Sequence, residues 1–264
     1  MKFLRPMCEN DIDQVVEVIE SHDEDDAEEA GRGYRLLDGV SNQYVLEHEG
    51  QLIGVTGYYT PPNCEGTYWL SWTYIQDDYT GNGHGRRMMT DLLQHVKELG
   101  GRKIFLKISN YQDPEDGDVY GAAWHLFQSL GFTLELTNEN FYDIGEAQRI
   151  LSMRVRPVVA TTPLDEYVPV RFNAVFEIAE TDGAYTFGWR EDGDALFTKE
   201  DVEVGLNEVK SDGARVVFLT FPSNFSGIRE PLVQAGFREH GLLGDYFEDG
   251  VHELHFVYYF CSLP

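Results

Sequence analysis

Lysine is scarce in this chain of 264 residues: only Lys2, Lys97, Lys103, Lys107, Lys199 and Lys210 carry an ammonium group. Lysine and arginine together number 20 against 46 acids, a formal net charge of −26. That balance excludes nucleic acid as a partner, because its phosphates would be repelled. It speaks equally against an anionic membrane surface. A cationic partner is the electrostatic complement, although acidity of this kind also serves solubility or adaptation to salt. Cysteine is rare too. Cys8, Cys64 and Cys261 have neither metal-ligand spacing nor the arrangement of a disulfide framework, so reduced thiols in a cytoplasmic protein are expected, and no metal. Apolar runs long enough to span a membrane are lacking. The opening Met1-Lys2-Phe3-Leu4-Arg5 lacks the apolar stretch of a signal peptide. A hydrophobic fraction of 42% allows a normal core, and the length allows one large or two modest domains.

One stretch organises the rest: Thr80-Gly81-Asn82-Gly83-His84-Gly85-Arg86. A strand-prone aromatic run, Tyr68 to Ile75, precedes it. Met88, Met89, Leu92, Leu93, Val96 and Leu99 follow with helical spacing, and Gly100-Gly101 ends that helix. The glycines therefore fall where a strand turns into a helix. N–H groups at a helix start lack intrahelical partners, and the helix dipole is positive there. With no side chain in the way, a diphosphate reaches those donors. The stretch reads as a pyrophosphate cradle, against the plainer reading of a glycine turn without a ligand. A dinucleotide fold would place such glycines after its first strand, and a Walker loop would end in Gly-Lys-Ser/Thr; neither pattern is present.

The run from Ile75 to Gly85 resembles the acyl-CoA loop of the GNAT superfamily of N-acyltransferases. Gly83 and Gly85 take the last two fixed places of that loop, and Thr80 stands where Arg or Gln is usual. Three further stretches are similar. Phe3–Met7 with Asn10–Asp13 matches the opening strand and helix, Glu47–Gly54 the first hairpin, and Ala123 with Leu126–Phe132 the late helix and its Gly-Phe. The resemblance covers residues 1–155 and implies an α+β fold, a mixed, mostly antiparallel sheet flanked by helices. It implies acetyl-CoA as co-substrate, held by Tyr74, Ile75, Thr80, Gly81, Asn82, Gly83, His84, Gly85, Arg86, Ala123 and Phe127. In the family the strand before the loop splays from its neighbour, and an N–H near Ile75 polarises the thioester carbonyl. Ser71 stands where some members carry a Glu base, and Phe127 where many carry a Tyr acid. Glu65, Glu135, Tyr142 and Asp143 are conceivable bases, and nothing selects one, so the catalytic residues stay unassigned. Tyr120 and His125 read as packing or surface.

In chain order, Lys2–Met7 reads as a strand, and Asn10 as an N-cap with Asp13 three residues on. Ile12, Val15, Val16 and Ile19 give the apolar face of a helix. The acid-rich run Glu20–Glu29 reads as a lip for an amine or as a solvated charge run. Asn42–His48 and Gln51–Tyr59 form a hairpin at Glu49-Gly50. Gly66–Ile75 is the central strand, Arg102–Ser109 the next, and Gln112–Asp118 a polar loop. A helix over Val119–Leu130 and strands Phe132–Thr137 and Gln148–Val155 complete this half.

Pro157, Pro163 and Pro169 mark 156–169 as a linker. Residues 170–264 then echo the first half. Val209 to Leu219 parallels Val96 to Leu106, Gly236-Phe237 parallels Gly131-Phe132, and Tyr246 with Gly250 parallels Tyr142 with Gly145. Thr198 with Asp201 begins a helix carrying Val202, Leu206 and Val209. In the cradle's place stand Asp192-Gly193-Asp194-Ala195, whose carboxylates cannot receive a diphosphate. The expectation is a second, smaller, degenerate GNAT-like half. The expected function is acetyl transfer from acetyl-CoA to a primary amine, a cationic small molecule or basic side chain. The alternative is a non-catalytic acyl-CoA-binding or scaffolding protein. The expected partner is a small-molecule or peptide amine, with no nucleic acid and no membrane, and a homodimer stays open.

Overall fold

Strand β1 (Leu4–Pro6), a 3₁₀ turn (Glu9–Asp11) and helix α1 (Ile12–Glu20) open the chain in this computed structural model, which describes residues 2–115, 117–193 and 196–260. The capping departs from expectation. Asp11, not Asp13, accepts from the cap residue's backbone N–H, and that residue is Cys8, at 2.8 Å, not Asn10. Arg5 is the reason: its guanidinium grips both Asp11 oxygens, at 2.7 and 2.8 Å. That grip holds the Asp11 carboxyl well below the usual carboxylate range. Ile12, Val15, Val18 and Ile19 bury one face of α1, with Val18 more deeply placed than the expected Val16. The acids Glu24 to Glu29 lie inside helix α2 (Glu24–Tyr34) rather than between two helices. Asp23 caps that helix, accepting from the Asp26 N–H at 2.9 Å. Carboxylates in a first turn gain about 0.3–1 kcal/mol each from the helix dipole, which is reason enough for a helix here.

β2 (Gln43–His48) and β3 (Gln51–Tyr59) form the expected hairpin. The central strand is not continuous. β4 (Thr67–Leu70) pairs with β3, the Ser71 N–H still bonds the Gly57 carbonyl of β3 at 3.1 Å, the regular ladder then lapses, and β5 (Tyr74–Ile75) pairs with β3 again, Ile75 opposite Gly54. Side-chain hydroxyls are engaged along this stretch. Ser71 Oγ donates to Gln43 Oε1 at 2.7 Å, and Thr73 Oγ1 donates to the Ser71 carbonyl at 2.9 Å. Helix α3 (His84–Glu98) buries Met88, Met89, Leu92 and Val96. β6 (Lys103–Ser109) runs parallel to β4, and their ladder ends at Trp69 opposite Phe105. The expected polar loop carries a short ladder of β7 (Gln112–Asp113) with β8 (Gly117–Asp118); Asp116 lies outside the described residues. Helix α4 (Gly121–Leu130) begins two residues later than expected, and β9 (Thr133–Asp143) and β10 (Glu146–Arg154) form a longer hairpin than expected.

The linker stretch 156–169 holds only β11 (Glu166–Tyr167), which pairs with β15 (Phe225–Ser226). The remaining elements are β12 (Val170–Glu177), β13 (Ala184–Glu191), α5 (Lys199–Ser211), β14 (Val216–Pro222), α6 (Arg229–Gln234), β16 (Arg238–Glu248) and β17 (Val251–Tyr259). Their strand order, β12-β13-β14-β17-β16, has the same pattern as β3-β4-β6-β10-β9. In each, a parallel pair sits in the middle (β4 with β6, β13 with β14) and a hairpin at the end. Local geometry repeats as well. Arg102 and Lys103 donate their N–H groups to the Gly66 carbonyl, as Arg215 and Val216 do to Gly183. Gly66 and Gly183 have φ of +70° and +72°. The Gly145 N–H bonds the Asn140 side chain at 2.8 Å, and the Gly250 N–H bonds Asp245 at 2.8 Å.

Two compact units result. One comprises Met1–Leu106, Gly121–Thr133 and Ser152–Pro157; the other comprises Lys107–Tyr120, Leu134–Leu151 and Val158–Pro264. Packing thus interleaves the chain instead of cutting it once at 156–169. The first has a core of Met7, Val15, Ile19, Ala30, Val45 and Val55 beneath α1 and α2. In the second, Val202, Leu206 and Val209 of α5 pack on Leu219, Phe221 and Phe256. Phe141 of β9 belongs with Val216, Phe218 and Val257, which ties the β9–β10 hairpin into that unit.

Candidate functional site

The glycine stretch lies where expected, between β5 and α3 in the first unit. Gly83 is the N-cap of α3, in the left-handed conformation with φ +79°, and no side chain caps the helix. A side chain there would cost strain, so glycine is the fitting residue. The first turn carries no acid. The opening N–H groups of α3 therefore face outward beside Gly81 and Gly83, where an added Cβ would meet nothing within 4 Å. Space, donors and positive dipole coincide, which is what a diphosphate needs. The neighbours hold the loop's shape. Thr80 Oγ1 donates to the Asp77 carbonyl at 2.9 Å, and Asn82 Nδ2 to the Thr80 carbonyl at 3.1 Å. Arg86 Nη2 donates to Ser129 Oγ at 2.5 Å, joining α3 to α4.

His84 contributes its backbone to the helix start while its ring packs. It lies 4.9 Å from His48 and 6.2 Å from Tyr79, centroid to centroid. Burial first, then the His48 and Arg87 charges, push the His84 imidazole below its ordinary value. The side chain of Ile75 lies against β3 and α3: a Cβ on Gly54 would lie 2.7 Å from it and one on Gly85 3.8 Å, the latter also 3.3 Å from Leu126. Ala123 is half-buried on α4. Phe127 is buried, edge-on to Phe132 at 5.5 Å, so its ring is part of the packing. His125 is exposed.

On the other side of β5 the α1–α2 turn is tied to the strand. Ser21 Oγ accepts from the Asp77 N–H at 3.2 Å. His22 Nε2 lies 2.6 Å from the Ile75 carbonyl oxygen. The Tyr74 phenol donates to the Asp26 carboxylate in a short hydrogen bond. Beyond Trp69 the strand has left β6, and the Gln76 N–H bonds Ile53 of β3 at 2.9 Å. The Ile75 carbonyl, on the same peptide group, therefore points away from β3 to the side where the ladder with β6 has ended. Nothing in sequence spacing singles out His22; its being the one imidazole in a run of acids is the only available signal.

The bases conceivable from sequence scatter. Glu65 is exposed at the start of β4, the opposite end from Ile75. Glu135, Tyr142 and Asp143 belong to the second unit, where Glu135 accepts from the Gly244 N–H at 2.9 Å. Ser71 spends its hydroxyl on Gln43. Among the described residues no group of three or more His, Cys, Asp or Glu could hold a metal, and no helix is long and apolar enough to cross a membrane.

In the second half the matching helix start is closed. Thr198 and Asp201 of α5 form the expected reciprocal box, with Thr198 N to Asp201 at 2.9 Å, and Glu200 and Asp201 occupy the first turn. Such a cap is worth about 1 kcal/mol and uses up donors that α3 leaves open. Asp192 pairs with Arg171, while Asp194 and Ala195 lie outside the described residues.

Comparison with known proteins bears on residues 8–132, which match the acetyltransferase (GNAT) family model. A spermine/spermidine N(1)-acetyltransferase of Bacillus subtilis is 36% identical over 93 residues, 33% of this chain and 56% of the relative. The chain thus spans about half the length of the curated relative it matches. Among solved structures, a GNAT-family protein from Desulfovibrio desulfuricans superposes with a TM-score of 0.50 at 22% identity, over 58% of this chain and 98% of its own. An aminoglycoside 6'-N-acetyltransferase complexed with coenzyme A gives 0.47 at 14% identity, over 60% and 99%. The chain has a GNAT-like α+β fold of largely antiparallel sheets flanked by helices, and its residues 8–132 are similar to the acetyltransferase (GNAT) family.

Proposed function

We propose that the protein moves an acetyl group from acetyl-CoA to a primary amine of a cationic acceptor. The observation that carries this reading is the uncapped N-terminus of α3 behind Gly83, at the end of a strand whose ladder with β6 has stopped. Gly81 to Arg86 would hold the diphosphate, and Tyr74, Ile75, Ala123 and Phe127 would line the pantetheine path. Bound there, acetyl-CoA supplies an activated thioester. The chain's own part is to orient it and to accept the amine's proton, since the amine attacks only when neutral. The net charge of −26 and the exposed carboxylates of Glu24 and Asp25 favour a cation. Polyamines come first among candidates, because the curated relative is named for spermine and spermidine. Residues 170–264 are read as a second, degenerate GNAT-like half that does not bind the cofactor. Their repeated strand order and their closed helix start at Thr198 support that view.

A second reading is a non-catalytic acyl-CoA binder, favoured by the engagement of Ser71 with Gln43 and the buried, hydroxyl-free ring of Phe127. Release of CoA from acetyl-CoA over a panel of polyamines, aminoglycosides and basic peptides separates the two. Turnover supports the enzyme. A melting shift with acetyl-CoA and no turnover supports the binder.

A further inference from the structure

We propose that His22 is the general base that deprotonates the acceptor amine, an assignment that rests on the acetyl-transfer reading. A carbonyl oxygen only accepts, so at 2.6 Å from Ile75 O the His22 Nε2 must carry the proton. That bond fixes the neutral tautomer, because the nitrogen that is not protonated is then Nδ1. Nδ1 makes no hydrogen bond with any described residue and is the ring's open acceptor. Its position is defined at three points. Ser21 and Asp26 flank it in sequence and bind Asp77 and Tyr74, and the Tyr74 ring lies 5.7 Å from the imidazole. The Ile75 carbonyl it touches belongs to the strand edge on which the thioester would lie. The carboxylates of Glu24 and Asp25 begin α2 immediately after it and would hold an ammonium beside it.

The step balances as follows. The ammonium gives one proton to Nδ1 and becomes a neutral amine, and Nδ1 passes that proton to solvent. The nitrogen lone pair forms the C–N bond at the thioester carbon. As the C–S bond breaks, the sulfur keeps the electron pair and takes the second nitrogen proton, leaving amide and free thiol. Of titratable groups, the Tyr74 ring packs on the imidazole at 5.7 Å, Asp77 bonds the neighbouring Ser21, and Glu20, Asp23, Glu24, Asp25 and Asp26 flank His22 along the chain.

His22→Ala and His22→Gln test this together. Glutamine keeps a donor for the Ile75 carbonyl but cannot act as a base. Both variants should lose kcat by about 10²–10⁴-fold, with little change in KM for acetyl-CoA. The deficit should shrink as pH rises and the amine neutralises itself, and added imidazole should restore part of the activity of His22→Ala. A readout free of activity is the ¹⁵N spectrum of the His22 ring, where the neutral form should be protonated at Nε2. Full activity in His22→Gln with loss in His22→Ala would reduce His22 to a positioning residue and overturn the assignment. Wild-type kcat in both variants, or an Nδ1–H tautomer, overturns it as well. A wild type that neither binds nor turns over acetyl-CoA would sink the acetyl-transfer reading first, and this assignment with it.

Discussion

Tyr74 donates its phenol proton to the Asp26 carboxylate, joining the strand that precedes the glycine loop to the first turn of an acid-rich helix. The acids of that helix therefore divide by task. Asp23 caps and Asp26 ties, whereas Glu24 and Asp25 are exposed. Neutralising Glu24 and Asp25 together should raise KM for a cationic amine with kcat nearly unchanged, and added salt should mimic the effect. An unchanged KM would return them to a solvated face. Asp23→Ala should instead cost about 0.5–2 kcal/mol of stability, read by denaturant titration.

Gly83 should not tolerate a side chain. Gly83→Val places a β-branched residue at φ +79° and a side chain in the space offered to the diphosphate. Gly85→Leu drives into Leu126, 3.3 Å from where the Cβ would sit. Because both variants lower the intrinsic melting temperature, the quantity to follow is the further shift caused by acetyl-CoA. It should vanish in Gly83→Val; persistence would move the cofactor elsewhere.

Acid should loosen the N-terminal strand first. Burial pushes the Asp91 carboxyl up, but N–H groups of Phe3, Lys2 and Leu4 donate to it and leave it lowered overall. Arg5 lowers Asp11 likewise. A depressed folded value means stability that is full above the unfolded carboxylate value, about pH 3.9, and lost as pH falls through the folded one. Unfolding free energy should therefore decline below about pH 4. Asp91→Ala should flatten that decline and destabilise by about 1–3 kcal/mol at neutral pH, since up to three N–H groups lose their acceptor.

Phe127→Tyr should keep or raise kcat, because CoA thiolate leaves without a dedicated acid when thiols titrate near pH ~8.5. The ring is 6% exposed and packed on Phe132, so the added hydroxyl also needs a partner. A melting temperature lowered in line with about 1–3 kcal/mol is the accompanying expectation. A wild type inactive on every amine, with activity only in the variant, would decide for the binding protein.

Thr198→Ala should weaken α5 by about 1 kcal/mol without altering acetyl-CoA affinity, because that helix start is not a cofactor site. A CoA molecule found beside Gly193 would contradict this.

The sequence alone determined what depends on neighbours along the chain. Glycines between an apolar strand and an amphipathic helix are enough to place the turn between β5 and α3, since φ and helix period are local properties. The Glu49-Gly50 hairpin and the Thr198–Asp201 box were legible for the same reason. The echo of Val96–Leu106 in Val209–Leu219 was visible as well, and the strand order repeats with it. Tertiary structure decided the rest. Arg5 moved the first cap to Cys8 and Asp11, because a bidentate ion pair from a neighbouring element outweighs an isolated capping preference. The Ser71 hydroxyl bonds Gln43, 28 residues away, a meeting that no local pattern encodes. Above all, the meeting of His22 with Ile75 spans 53 residues, and only the folding of α1 and α2 over β5 brings that imidazole to the strand edge.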